Sequence, residues 1–288
     1  MDHRTPLAEV SRKIKIVQGK KASSPLHPDP TKKSNELMQE WADASSYDCL
    51  PLQVRSALAT NAKNRIGKIE AALLDPNVSD NMPITEEELV GSLEKASSSA
   101  PGTDGVTYDG IRFLTTIDGN PVLRLYNMIW RGGRLPTPWK KAIIVPIPKP
   151  GNPGSLRPIS LTSCLCKCFE RIVLNRLLYS IKPQLSSNLY GFIPGRSTQH
   201  CIHRGLAGIR KRWNVFIDLK AAFDRADPSV ILSQLSNMTS GTIIRIVQDY
   251  LTDRHSRGYF EGAYSRWEHR ELGTPRGLFS PQRSSTHL

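Results

Sequence analysis

The spacing of hydrophobic residues along the chain predicts several amphipathic helices. Between residues 51 and 74, apolar residues recur at mostly helical spacings among lysines and arginines. A longer amphipathic helix is predicted over 162–181, and Lys182-Pro183 ends it because proline disfavours helical geometry in the preceding residue. Shorter helices are predicted over 121–130 and from residue 243 to residue 251.

Two neighbouring segments have the composition of β-strands. Residues 142–148 are rich in isoleucine and valine, and residues 151–154 supply a turn before the apolar run 156–161. Lysines flank the first run. The pattern predicts two strands joined by a basic loop.

Two later segments also predict strands. Residues 213–218 are mostly apolar and end in Asp218, which is the form of a buried strand that delivers a carboxylate at its end. Residues 258–272 are predicted to form a hairpin that turns at Glu261-Gly262.

Local signals predict where helices begin. Thr85 and Glu88 form a capping box, so a helix is predicted to start there and to end near residues 97–99. Asp227-Pro228 is a cap followed by proline at the first helical position. Residues 100–105 read Ala-Pro-Gly-Thr-Asp-Gly, a loop whose glycines permit positive φ.

The N-terminal third is less regular. Residues 1–35 contain basic pairs and prolines without a sustained apolar period, which predicts a flexible basic arm. Residues 36–84 are then expected to form a helical linker.

Composition narrows the class of partner. The 39 lysines and arginines outnumber the 26 aspartates and glutamates, which gives a formal charge of +13 and favours a polyanionic partner such as nucleic acid. An ordinary basic protein remains open, because net charge does not show whether the cations share one face. Five cysteines without paired spacing, no secretory signal and no membrane-length apolar run predict an intracellular protein, in the cytoplasm, the nucleus or both.

A series of short motifs then occurs in a fixed order. The first four are Ala100-Pro101-Gly102-x-Asp104-Gly105, Trp139-Lys140, Val145-Pro146-Ile147-Pro148-Lys149 and Arg157-Pro158-Ile159-Ser160-Leu161. The next four are Lys167-x-x-Glu170-Arg171, Tyr190-Gly191-Phe192-x-x-Gly195-Arg196-Ser197-Thr198, Phe216-Ile217-Asp218-Leu219-Lys220-Ala221-Ala222-Phe223-Asp224 and Gly273-Thr274-Pro275-Arg276-Gly277-Leu278-Phe279-Ser280-Pro281. Together, over roughly residues 85–281, they resemble the reverse transcriptases of non-LTR (LINE-type) retrotransposons.

The resemblance implies an α+β fold of the right-hand polymerase type. Residues 85–210 would form the fingers and 211–281 part of the palm. The family continues with an apolar helix and an aromatic-Ala-Asp-Asp hairpin, whereas residues 282–288 form a tail of another character. The expectation is a chain truncated before the paired aspartates, with the thumb absent and little or no polymerase activity alone.

The resemblance also assigns the metal and nucleotide contacts. Asp218, helped by the main-chain carbonyl of Leu219, would be one ligand of the two Mg²⁺ ions that activate the primer hydroxyl and neutralise the leaving pyrophosphate. Phe223 corresponds to the gate that selects deoxynucleotides, with a plain core residue as the alternative. Lys149 and Arg157 would contact the triphosphate of the incoming deoxynucleotide, with solvated surface charge as the rival interpretation.

Two further groups of contacts follow from the same resemblance. Gly191, Gly195 and Arg196 would lie near the RNA template, although an ordinary surface turn explains them too. Gly273 and Gly277 would let the backbone approach the template and the nucleotide closely. Arg276 stands where the family has glutamine, so its nucleotide contact departs from the pattern. The implied partners are an RNA template, a DNA primer and deoxynucleoside triphosphates.

Other functions remain open at the level of sequence. A non-catalytic nucleic-acid-binding protein is one, and an intron-encoded or telomeric reverse transcriptase is another, although Gly-Arg-Ser-Thr followed by Asp-x-x-x-Ala-Phe-Asp fits the LINE type better. Cys164, Cys166 and Cys168 suggest zinc only weakly, because a helix places Cys166 on a different face from the other two.

Overall fold

The computed structural model describes residues 27–75, 82–96, 99–149, 152–207, 215, 217–219 and 221–274. Within these residues the α-helices are α1 (Pro30–Asp43), α2 (Leu52–Thr60), α3 (Ala62–Leu74), α4 (Glu86–Glu94), α5 (Tyr108–Thr115), α6 (Pro121–Gly132), α7 (Cys164–Ile181), α8 (Thr198–Ala207), α9 (Pro228–Leu235) and α10 (Gly241–Leu251). Short 3₁₀ turns occupy Tyr47–Cys49, Thr137–Lys140 and Lys182–Gln184.

One mixed sheet accompanies the helices. Its strands are β1 (Lys141–Lys149), β2 (Asn152–Leu161), β3 (Arg254–Phe260), β4 (Ala263–Tyr264) and β5 (Glu268–Arg270). The order is β2-β1-β3-β4, and β5 also pairs with β3. The β1–β2 pair is antiparallel, whereas β1 and β3 run parallel from Lys141 opposite His255 to Ile144 opposite Gly258. Helices and strands are thus mixed, as the sequence predicted.

Both predicted hairpins are confirmed. Strands β1 and β2 follow each other directly, as the apolar runs on either side of the basic loop indicated. In the second hairpin Phe260 pairs with Ala263, which leaves Glu261 and Gly262 as a two-residue turn. Both turn residues have positive φ, 45° and 92°, which is the geometry of a type I′ turn.

The predicted strand at 213–218 is wrong wherever the structure describes it. Residues 215 and 217–219 form no strand, and Val215, Ile217 and Leu219 are 72% to 83% exposed. A strand needs a neighbour to receive its ladder of hydrogen bonds. Among the described residues no strand lies beside this run, so its apolar pattern alone does not make it β-structure.

The N-terminal boundary also differs from the prediction. Helix α1 begins at Pro30, inside the region expected to be a flexible arm, because the Asp29 side chain caps it by accepting from the Lys32 amide at 2.9 Å. Leu37 and Met38 are buried, and α1 packs against β3, β4 and β5. Residues 1–26 lie outside the described residues.

Most helix predictions hold, with one division. Thr85 and Glu88 form the predicted capping box, and α6 and α10 occupy the predicted positions. The single helix expected over 51–74 is instead two, α2 and α3, which are separated at Asn61.

The main core lies around α7. Tyr126 and Trp139 pack against Phe169 with ring centroids 5.3 and 5.8 Å apart. Cys164, Cys166 and Cys168 are all fully buried although they lie on different faces of the helix. Helix α7 is therefore enclosed on more than one side at its start, and its thiols belong to the core.

Candidate nucleotide and nucleic-acid site

The β1–β2 hairpin carries the first predicted contact for the triphosphate. Arg157 lies in β2 opposite Ile147 and is exposed, as a phosphate-binding side chain must be. Directly paired residues share one face of a sheet, so Arg157 lies on the same face as Ile147 and Lys141 of β1 and Arg257 of β3. We call this surface the Arg157 face. Lys149 ends β1, and its side chain lies outside the described set.

The loop 99–105 covers the middle of the Arg157 face. Ala100 clusters there with Ile143, Val145, Leu161 and Tyr259. A Cβ on Gly102 would lie 2.6 Å from the carbonyl carbon of Thr162 and closer still to the amide of Ser163, so only glycine fits. The sequence predicted glycines that permit positive φ, which holds for Gly105 at 69°. At Gly102 the requirement is instead a close approach of two backbones.

The motif Lys167-x-x-Glu170-Arg171 belongs to the interior. Lys167 Nζ donates to the Ala100 carbonyl at 3.4 Å, which ties α7 to the loop, and burial lowers its pKa. Arg171 donates to the Ser92 carbonyl and to the Tyr108 hydroxyl, at 2.9 and 3.0 Å. These side chains hold α4, α5 and α7 together.

The loop that was predicted to lie near the template is organised by its own arginine. Arg196 Nη1 donates to the carbonyls of Ser186 and Leu189 at 2.7 and 2.6 Å. Gly195 needs glycine because its φ is 80°, whereas Gly191 has no positive φ, and a Cβ added to it would meet no atom within 4 Å. Arg196 therefore shapes the loop, and its predicted contact with template phosphate stays a prediction.

Phe223 lies at the surface. Its side chain is 50% exposed, so the alternative of a plain core residue does not hold. Its ring meets the exposed ring of Phe192 edge to face, with centroids 6.3 Å apart. The aromatic predicted to gate the nucleotide thus contacts the loop predicted to lie near the template.

Residues 273–274 lie against the segment 223–226. The Gly273 amide donates to the Ala226 carbonyl at 2.7 Å, and the Thr274 amide donates to the Phe223 carbonyl at 2.8 Å. Gly273 has a φ of 83°, and a Cβ there would lie 2.7 Å from the Phe223 carbonyl oxygen. Gly273 therefore makes a close approach to the chain itself, and its predicted approach to template and nucleotide stays a prediction. Two motifs far apart in sequence meet here.

A buried arginine supports this junction, and no pattern in the sequence indicated it. Arg254 is 6% exposed and donates from Nη2 to the carbonyls of Leu272 and Gly273. Burial lowers its pKa. Arg270 is also largely enclosed, donates to Ser256 and to the Trp41 carbonyl, and has a pKa lowered to about 10 by burial. Neither residue stands in one of the recognised motifs.

The expected metal site is not assembled by the described residues. Asp218 and Leu219 are exposed and lie in irregular backbone. Nowhere in the described part of the chain do three histidine, cysteine, aspartate or glutamate side chains gather as a metal site requires. The donors present therefore do not fit a two-ion centre. Arg276 and Gly277 lie outside the described residues.

A second set of cations was missed by the sequence analysis. Arg257 lies over the rings of Tyr264 and Trp267, and Lys141 also approaches Trp267. The alternation of basic and aromatic residues in 254–267 was a usable signal, but the contribution of Lys141 depends on the β1–β3 pairing.

In the described part of the chain, no helix has both the length and the apolar character needed to cross a bilayer.

Comparisons with known proteins agree with these motifs. Residues 147–282 match the family described as reverse transcriptase (RNA-dependent DNA polymerase). The chain is 31% identical over 209 residues to the probable RNA-directed DNA polymerase from transposon BS of Drosophila melanogaster. The matched region covers 68% of this chain and 23% of that protein. It is 28% identical to the RNA-directed DNA polymerase from mobile element jockey of Drosophila funebris, over 68% and 23% of the two chains.

A third relative comes from a third organism. It is the retrovirus-related Pol polyprotein from type-1 retrotransposable element R2 of Popillia japonica, 31% identical over 54% of this chain and 22% of that protein. The chain thus spans about a quarter of the length of these curated relatives.

Proposed function

Because the chain belongs to the reverse transcriptases of non-LTR retrotransposons, we propose that it engages an RNA template, a DNA primer and a deoxynucleoside triphosphate as part of an RNA-directed DNA polymerase. In this proposal residues 85–210 act as fingers and residues 211–281 as part of a palm. Arg157 binds triphosphate oxygens, and the loop that contains Gly191, Gly195 and Arg196 lies beside the template.

The observation that carries the proposal is the junction of Phe223 with residues 273–274. Two backbone hydrogen bonds fix the segment that bears Phe223 against the start of the last motif, while the Phe223 ring stays half-exposed. A large aromatic side chain on a fixed backbone is suited to exclude a 2′-hydroxyl by steric contact. A residue that served only the core would be buried.

Metal chemistry enters the proposal only in general form. Reverse transcriptases generally use divalent metal ions, and Asp218 is the carboxylate that the family pattern assigns to Mg²⁺. Since the described carboxylates do not gather into a metal centre, the proposal assigns no catalytic step to the ions.

The test of the proposed function is nucleotide selection by Phe223. A chain-terminated primer on an RNA template, with Mg²⁺ present, should dissociate more slowly when the complementary deoxynucleotide is added. The ribonucleotide should stabilise this complex less. Phe223→Ala is expected to reduce the preference on the order of tenfold, about 1.4 kcal/mol, and Phe223→Tyr should retain it.

The matched control is Phe113→Ala, because Phe113 is 67% exposed on α5 and has no predicted nucleotide contact. An unchanged preference in Phe223→Ala would contradict the assignment. A primer-extension assay distinguishes a polymerase from the alternative, a non-catalytic nucleic-acid-binding protein. Mg²⁺-dependent extension that is lost in Asp218→Ala indicates a polymerase, whereas RNA binding with a steep salt dependence and no metal dependence indicates a non-catalytic nucleic-acid-binding protein.

A further inference from the structure

A cluster of cations and aromatic rings lies on the Arg157 face, at the β3–β4 hairpin. The Arg257 guanidinium carbon lies 4.1 Å from the ring centroid of Tyr264 and 4.8 Å from that of Trp267. Lys141 Nζ lies 5.4 Å from the Trp267 ring. We call Lys141, Arg257, Tyr264 and Trp267, together with the exposed neighbour Arg266, the Trp267 platform.

Strand pairing creates the platform from distant parts of the sequence. Ile143 of β1 lies opposite Arg257, and Tyr259 lies opposite Tyr264, so these side chains share one face. Tyr259 is buried and packs against Tyr264 with ring centroids 4.9 Å apart, which anchors the Tyr264 ring. The Tyr264 ring is thus held by the sheet, and the Trp267 ring lies beside it through its contacts with Arg257 and Lys141.

The platform is only partly covered. Tyr264 is 38% exposed and Trp267 is 37% exposed, and Arg266 between them is exposed as well. Cation–π contacts at exposed sites stabilise a fold only slightly. A hairpin already fixed by a type I′ turn does not require two exposed rings and three cations.

The chemistry of the platform fits one kind of partner. Aromatic rings stack on any base, and neighbouring lysine and arginine side chains attract the phosphates. Glu268 is the acidic residue next to Trp267 in sequence, and it is half-buried in β5. The exposed side chains therefore present positive charge and π-surface together.

We propose that the Trp267 platform binds single-stranded RNA, with one base stacked on Trp267 and with Lys141, Arg257 and Arg266 placed against the adjoining phosphates. From strand spacing, Arg257 lies roughly 16 Å from Arg157 along the same face. A few nucleotides of single strand span that distance. The proposal rests on the proposed function in one respect, because it identifies the bound strand as template ahead of the copying site.

The first experiment measures binding of a fluorescein-labelled 12-nucleotide single-stranded RNA by anisotropy, with the full chain. Trp267→Ala is expected to weaken binding about 5- to 150-fold, the range for loss of one stacked base. Trp267→Phe should recover most of the affinity because a ring remains. The matched control is Tyr179→Ala, which removes a ring that is 89% exposed on α7, outside the platform.

Equal RNA affinity in wild type and Trp267→Ala, with both variants folded by circular dichroism, would overturn the proposal. So would an equal loss in Tyr179→Ala, because stacking would then not be specific to the platform. A labelled DNA of the same sequence forms a second arm. A larger effect of Trp267→Ala on DNA than on RNA would reject RNA as the partner.

The salt dependence tests the phosphate contacts separately. Arg266→Gln is expected to reduce the slope of log affinity against log salt by about 0.7, the value for one phosphate contact on a single strand. An unchanged slope would remove Arg266 from the binding surface.

A template overhang separates this inference from the proposed function. Primer–template complexes are compared with an overhang of about one or about eight template nucleotides. The platform predicts that the longer overhang adds affinity in wild type and adds none in Trp267→Ala. An unchanged deoxynucleotide preference in Phe223→Ala, together with a retained overhang effect in wild type, would contradict the polymerase function alone. A reduced deoxynucleotide preference in Phe223→Ala, together with no gain of affinity from the longer overhang in wild type, would contradict the platform alone.

Discussion

Glu170, in the motif Lys167-x-x-Glu170-Arg171, brings an ionisable carboxyl into contact with the main core. It is half-buried, the Cys166 thiol donates to its Oε1 at 3.1 Å, and Tyr250 is a neighbour. Burial raises its pKa to about 7, and this effect outweighs the hydrogen bond from Cys166, which favours the charged form. A carboxyl in this position is neutral in mildly acidic solution.

The raised pKa predicts a pH-dependent stability. The folded protein holds a proton on Glu170 that the unfolded chain releases above about pH 4.5, so this contribution is full below that pH and is lost as the pH rises to about 7. The loss amounts to about 3 kcal/mol. Glu170→Gln should remove this part of the pH dependence, as measured by urea unfolding at pH 5 and pH 8.

The control for this prediction is Glu70→Gln, because Glu70 is exposed on α3. It should unfold like wild type at both pH values. If wild type and Glu170→Gln lose the same free energy of unfolding between pH 5 and pH 8, the carboxyl is ionised in the fold and the prediction is wrong.

At the scale of the element, sequence patterns succeeded where the signal is local. The capping box at Thr85, the Asp227 cap and the turn at Glu261-Gly262 each depend on residues within four positions, and all three are confirmed. The parallel pairing of β1 with β3 was not predicted, since strand registers between distant segments leave no local mark. The failed strand before Asp218 has the same cause, because a strand exists only with a partner.

In the candidate site, too, features carried by local motifs were predicted and features made by distant segments were missed. The exposure of Arg157 and Phe223 agrees with roles taken from the family motifs, although those roles stay predictions. Arg254 and the Trp267 platform were missed, because their partners come from other strands and loops. The motifs indicate which residues have functional roles in the family. They do not indicate which side chains from distant segments of this protein come into contact.

Alanine substitutions at Gly102, Gly105 and Gly191 are expected to lower the free energy of unfolding by different amounts. Gly102→Ala should lower the free energy of unfolding by about 1–3 kcal/mol, the usual cost of overpacking, because its Cβ would overlap Thr162 and Ser163. Gly105→Ala has open space and should lose about 1 kcal/mol through its positive φ. Thermal unfolding measures both.

Gly191→Ala completes the series as the matched control. It has open space and no positive φ, so stability should stay within about 0.5 kcal/mol of wild type. A loss of RNA affinity in this variant would then reflect its predicted place beside the template. A ranking in which Gly102→Ala is the most stable of the three would contradict the packing argument.

At the scale of the whole molecule, one arginine of α7 joins this helix to α4 and α6. Arg176 forms two hydrogen bonds with Glu88, at 2.7 and 2.6 Å, donates to the carbonyls of Met82 and Pro83, and lies over the Trp130 ring at 4.7 Å. Burial raises the pKa of Glu88, but the hydrogen bonds and charge of Arg176 together with the hydrogen bond from the Thr85 amide outweigh it, so the pKa is lowered. This bridge links segments that lie 88 positions apart in the sequence.

Arg176→Ala is therefore expected to lower the free energy of unfolding by about 2 kcal/mol, because it leaves a half-buried carboxylate without its partner. Arg55→Ala is the comparison, since Arg55 pairs with Asp48 at an exposed site and should cost less than about 1 kcal/mol. Urea unfolding of both variants at neutral pH decides the matter. Equal losses would mean that burial adds nothing to the Arg176 pair.

The parallel pairing of β1 with β3 also sets an order of events during synthesis. The β1–β2 hairpin joins adjacent segments and can close on itself once Leu161 is made, but β3 begins at Arg254, roughly 90 residues later. Until then Lys141 has neither Arg257 nor Trp267 beside it. A ribosome-bound chain stopped before residue 254 would therefore carry the hairpin with Arg157 and no aromatic platform, so the two parts of this surface have separate folding histories.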